Sequence, residues 1–111
     1  MNRIIQVGFI SKKIKEAYEK LREGKFEDQK LYSFITRAIE DLKKDPQCGV
    51  RIPQKLIPKE WKQKYELTNL WKYNLPNAWR LLYEVIGNEV KIVCVILNFM
   101  NHKEYERWFK Y

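Results

Sequence analysis

Only two cysteines, Cys48 and Cys94, stand in the 111 residues. They are too few and too far apart to suggest a zinc site, and neither is expected in a disulfide, so both read as small buried fillers. No apolar run approaches the roughly 20 residues that a membrane-spanning helix requires. The N-terminal stretch MNRIIQVGFISKK lacks the sustained apolar region and small-residue cleavage site of a signal peptide. A cytoplasmic protein with no membrane partner is the expectation. Histidine is scarcer still, with His102 alone. With no histidine pair, no cysteine cluster and no carboxylate group at ligand spacing, neither a metal nor a cofactor is expected. Repeats, low-complexity tracts and Gly/Ser/Pro-rich linkers are also missing, so residues 1–111 are expected to form one domain.

Positive charge is what the chain has in excess. It carries 22 Lys and Arg against 14 Asp and Glu, a formal net charge of +8. The excess concentrates in the middle, where Arg51, Lys55, Lys59, Lys62, Lys64, Lys72 and Arg80 are opposed only by Glu60 and Glu66. Such a local field attracts a polyanion. Nucleic acid is the leading partner and an acidic protein the second, while a solvated basic surface kept for solubility fits the charge equally well.

The patterning predicts an α+β fold. After a β-capable start, RIIQVGFI, Ser11 is placed to cap a helix whose Ile14, Ala17, Tyr18 and Leu21 share one face before Gly24. A second helix keeps apolar spacing through Leu31, Phe34, Ile35, Ala38, Ile39 and Leu42 until DPQCG stops it. The two should form an antiparallel hairpin on one face of a small, mainly antiparallel sheet. From Gly49 the period becomes two. GVRIP is a brief strand, IPKEWKQKY a helical turn or loop, and TNLWKYNL, AWRLLYEVI and VKIVCVIL are strands, the last two joined across GNE. Apolar residues on both faces of VKIVCVIL predict an internal strand. The tail NHKEYERWFKY is expected to close as a short helix or to cover the sheet.

Alternation in Trp79–Ile86 places Trp79, Leu81, Tyr83 and Val85 on one face and Arg80, Leu82, Glu84 and Ile86 on the other. With the hairpin on the first face, Arg80 points to the more open one. There its guanidinium either grips a phosphate through two donors or pairs with Glu84 or Glu104. His102, whose side chain ordinarily titrates near pH ~6.5, follows the last strand, and Tyr105 lies three residues on. A histidine, a tyrosine, a strand arginine and a lysine-rich segment can together bind a phosphodiester and move protons around it. Cleavage of RNA by its own 2′-hydroxyl needs a base, a cation for the phosphorane and an acid for the departing 5′-oxygen, and no metal.

The stretch LWKYNLPNAWRLLYEVIGNEVKIVCVILNFMNHKEYERWF resembles the C-terminal half of the RelE/ParE superfamily of toxin-antitoxin toxins, with its Arg-Leu-x-Tyr strand, turn, apolar strand and His-x-x-Tyr-like tail. The resemblance implies a helix hairpin packed on a small twisted sheet and, for the RelE-like branch, a ribosome-dependent endonuclease of messenger RNA. By position, Arg80 would stabilise the scissile phosphate, His102 would be the acid or base, and Tyr105 would support it or handle a proton. Arg51, Lys55, Lys59, Lys62 and Lys64 would bind RNA, with Lys55 and Lys59 matching the basic segment of the family only loosely. An arginine that some members carry in the last strand is missing from VKIVCVIL. The resemblance further implies a cognate acidic antitoxin as partner, besides the ribosome and its message. A ParE-like inhibitor of DNA gyrase and a basic binding protein without catalysis are the alternatives, and an RNA-binding domain that stacks bases on Trp61, Trp71 and Tyr73 is the third.

Overall fold

A computed structural model describes residues 3–109; Met1 and Asn2, and the last two residues of the tail, Lys110 and Tyr111, lie outside the described residues. Five strands form one mixed sheet. These are β1 (Ile4–Phe9), β2 (Val50–Arg51), β3 (Trp71–Asn74), β4 (Arg80–Gly87) and β5 (Lys91–Met100), in the order β1-β5-β4-β3-β2. Three of the four pairings are antiparallel, and β1 joins β5 in parallel. β5 is therefore internal, as its two apolar faces predict, and the whole is an α+β fold.

Helices α1 (Lys12–Lys20) and α2 (Phe26–Lys44) form the expected hairpin. Ser11 caps α1, its Oγ accepting from the Ile14 backbone at 3.2 Å. In α2 the buried residues Leu31, Ile35, Ala38 and Leu42 fall at helical spacing. They pack with Leu75, Leu81, Tyr83, Cys94 and Ile96 from the sheet into one core. Burial of each large side chain there contributes roughly 1.5–3 kcal/mol.

The opposite face departs from expectation. It is not simply open: helices α3 (Lys59–Tyr65) and α4 (His102–Trp108) cover it with a second core of Ile52, Ile57, Trp61, Leu67, Leu70, Leu82, Leu97, Met100, Tyr105 and Phe109. The segment around Trp61 and the tail are therefore structural layers, joined by edge-to-face contacts of Trp61 with Trp108 and Phe109 at 5.6 and 5.4 Å. Two apolar faces on β5 are sustained by a bulge. Leu82 opposes Asn98 while Tyr83 opposes Ile96, which leaves Leu97 as an extra residue. The insertion switches the parity of β5, so Cys94 and Ile96 feed the hairpin core while Leu97 and Met100 feed the other.

The cysteines divide. Cys94 is buried, and its burial pushes the thiol up to about 11, whereas Cys48 is exposed and is not a core filler. It lies in the tight connection from α2 to β2. There Gly49 passes so close to the sheet that a Cβ would meet the Lys72 carbonyl oxygen and the Tyr83 hydroxyl, each at 2.5 Å. No helix among the described residues is long and apolar enough to cross a membrane.

Candidate functional site

Arg80 opens β4 directly opposite Asn74 of β3 and Met100 of β5. It thus shares a sheet face with Leu82 and Met100, on the side that α4 covers. Tyr105, buried on α4, lies beneath its guanidinium, with the Arg80 carbon 5.3 Å from the ring centroid. Lys72 of β3, opposite Leu82, brings its ammonium to 5.0 Å from the same ring. Two cations converging on one aromatic face is an arrangement that an added anion relieves.

Neither carboxylate considered as a structural partner for Arg80 takes that role. Glu84 is buried and committed elsewhere, its Oε2 accepting from the Thr68 amide at 2.9 Å and the Thr68 hydroxyl at 3.3 Å. Glu104 makes no ion pair among the described residues. Arg80 itself donates from Nη1 to the Trp79 carbonyl at 3.3 Å, and its buried Nε has no hydrogen-bond partner among the described residues. A buried guanidinium donor without an acceptor is costly, which makes the position informative.

His102 is placed differently. It is the first residue of α4, whose N-cap Asn101 accepts from the Glu104 amide at 2.9 Å. Its side chain is exposed and its Nε2 contacts the Glu106 carboxylate one turn on. Tyr105 turns inward instead, stacking on Phe109 at 4.8 Å. His102 and Tyr105 therefore do not share the face that their spacing suggested. His102 stands at the same end of the sheet as Arg80, two residues past Met100, with Glu106 fixing its ring and Nδ1 as the second nitrogen.

The basic segment is split by the sheet. Lys59, Lys62 and Lys64 belong to α3, in the same layer as α4, and Lys55 is exposed on the turn before it. Lys64 lies over the Tyr65 ring at 5.2 Å. Arg51 is on the other side, because it opposes Trp71, which opposes Tyr83 in the hairpin core, and its guanidinium rests 5.8 Å from the Trp71 ring. Trp61 and Tyr73 are not free to stack on bases. Trp61 is buried, and the Tyr73 hydroxyl donates to Asp41 at 2.5 Å. Burial and the Asp41 carboxylate push the Tyr73 phenol up to about 12. The indole of Trp71 donates to Asn69 at 3.1 Å.

Lys72 was legible only as one cation among many. The signal that singles it out is its place in β3: an antiparallel neighbour two residues from the partner of Arg80 must project on the same face as Arg80. Tyr83, the last residue of RLLY, is a tether. Its hydroxyl accepts from the Gly49 amide at 3.1 Å and donates to the Pro46 carbonyl at 3.0 Å, and burial holds the phenol well above its ordinary range. Compared with family models, curated proteins and solved structures, the chain has no match.

Proposed function

We propose that this chain is a RelE-like toxin of a toxin-antitoxin system, a ribosome-dependent endonuclease that cleaves messenger RNA through attack of a 2′-hydroxyl on the adjacent phosphodiester. The observation that carries the proposal is Arg80: a guanidinium laid on the Tyr105 ring, with Lys72 on the same ring and no ion pair of its own among the described residues. In this scheme Arg80 and Lys72 steady the charge of the phosphorane. Tyr105 positions both cations, and His102, oriented by Glu106, moves the proton. Lys55, Lys59, Lys62 and Lys64 guide the RNA backbone, and an acidic antitoxin neutralises the same surface. The exposed position of His102, turned away from Tyr105, favours the second reading: a basic homologue without catalysis, or a ParE-like ligand of gyrase. Mapping of message ends in a translating extract separates the two. Cuts within translated codons that vanish with His102→Ala and with Arg80→Ala are expected; intact messages with the unaltered protein would transfer the weight to binding.

A further inference from the structure

Beside the Arg80 site, β3 has an edge that nothing covers. β2 pairs only with Trp71 and Lys72, so the ladder stops before Tyr73 and Asn74. A cleft of roughly 490 Å³ opens there, lined by Asp41, Lys44, Asp45 and Cys48 on one side and Lys72, Tyr73 and Asn74 on the other. Lys72 therefore belongs both to the cation pair on Tyr105 and to this cleft. Its two carboxylates are already engaged, Asp41 by the Tyr73 hydroxyl and Asp45 by the Gln47 amide at 3.0 Å.

Asn74 is the residue in the cleft without a structural explanation. Asparagine is depleted in strands because it packs poorly there. Elsewhere in the chain asparagines have visible tasks: Asn69 clamps Val85 through both backbone groups, Asn88 ties the β4–β5 turn, Asn98 accepts from the Phe99 amide, Asn101 caps α4, and Asn77 takes a left-handed backbone in the turn before Arg80. The Asn74 side chain is exposed and makes no hydrogen bond among the described residues, although it stands directly opposite Arg80.

We propose that this cleft is the subsite for the nucleobase next to the phosphate held at Arg80, and that Asn74 reads an adenine there. The inference rests on the cleavage reading above. An amide offers one donor and one acceptor side by side, which is the pattern that the N6 amino group and N7 of adenine complement. A base splayed from a single strand presents that edge freely. Lys72 spans phosphate and base, and Lys44 adds a second cation at the cleft.

Two measurements test the subsite. In a translating extract, cut positions with the unaltered protein should show adenine enriched at one fixed place beside the scissile bond. Asn74→Ala should lower that enrichment about 5- to 100-fold, the equivalent of the 1–3 kcal/mol of a paired amide contact. Asn74→Asp, whose carboxylate only accepts, should move the preference toward cytosine. Separately, exposed Cys48 should be alkylated by iodoacetamide several-fold more slowly in the presence of an uncleavable 2′-O-methyl oligonucleotide containing adenine than with a uracil-only one. That difference should vanish in Asn74→Ala; buried Cys94 does not interfere. Cleavage that depends on Arg80 but shows neither adenine enrichment nor Asn74-dependent protection would overturn the subsite and leave the nuclease standing. Intact messages would overturn the nuclease, and the alkylation rates would then decide the cleft alone, equal rates with both oligonucleotides removing it.

Discussion

The two faces of the sheet are built to different ends. On one, the 19-residue α2 presses a continuous apolar stripe onto β4 and β5, and polar groups at its border have bonds inside the protein: Tyr83 with Gly49 and Pro46, Tyr73 with Asp41, Tyr18 with Thr36 at 2.5 Å. On the other, two helices of seven residues each close a smaller core around Trp61 and Phe109. That side leaves Arg80 on an aromatic ring with its Nε unbonded. The contrast separates a face that stores stability from one that keeps a cation available, and a substitution should betray which face it strikes.

The largest effects should come from the two cores. Trp61→Ala is expected to cost about 3–5 kcal/mol and Leu42→Ala about 2–5 kcal/mol. Only the first should also slow cleavage per folded molecule, because Trp61 buttresses the α4 layer that holds Tyr105 beneath Arg80. Chemical denaturation combined with activity normalised to folded protein makes the comparison. Equal losses of specific activity in both variants would erase the distinction between the faces.

Tyr83→Phe keeps the ring and removes the hydroxyl, leaving the Gly49 amide and the Pro46 carbonyl without their partner. A loss of about 1–3 kcal/mol in the urea midpoint is expected, with cleavage unchanged. The same variant asks whether RLLY is one functional unit, since its arginine and its tyrosine serve opposite faces.

Alkaline pH should weaken the hairpin side. The Cys94 thiol is pushed up from 9.0 to about 11 and the Tyr73 phenol from 10.0 to about 12, chiefly by burial in both cases. Both groups thus hold their protons more tightly folded than unfolded. Their contribution is complete below pH 9 and is lost as the pH rises through 11 and 12. Tyr73→Phe should flatten the decline between pH 10 and 12, as read from urea midpoints across that range; an unchanged slope would exclude Tyr73 as its source.

The smallest effect belongs to the turn that delivers Arg80. Ala78 has φ of 61°, a left-handed conformation that an alanine resists. Ala78→Gly should raise stability by up to about 1 kcal/mol, visible as a higher melting temperature. A fall instead would mean that the turn is held by something other than its backbone preference.

Much of this was legible from residue order because it is local. The Ser11 cap, the spacing of Leu31, Ile35, Ala38 and Leu42, and the alternation around Arg80 each report the face of a single element. What stayed hidden is what depends on which elements meet. The parallel pairing of Ile4–Phe9 with a strand more than 80 residues away leaves no periodic trace, and neither does the bulge at Leu97 that lets β5 serve both cores. Lys72 looked like one lysine among several until β3 placed it across the Tyr105 ring. His102 and Tyr105, three apart, were expected on one face; the hydrophobic demand of the second core turned Tyr105 inward and left His102 with Glu106.

The most direct test is the rate of message cleavage by Arg80→Ala, with the unfolding midpoint measured on the same preparation. The face opposite the hairpin is held for a phosphate if the rate falls about 100- to 1,000-fold while stability stays within about 0.5 kcal/mol of the unaltered protein. Equal cleavage, or a loss of cleavage matched by a loss of folding, would contradict it.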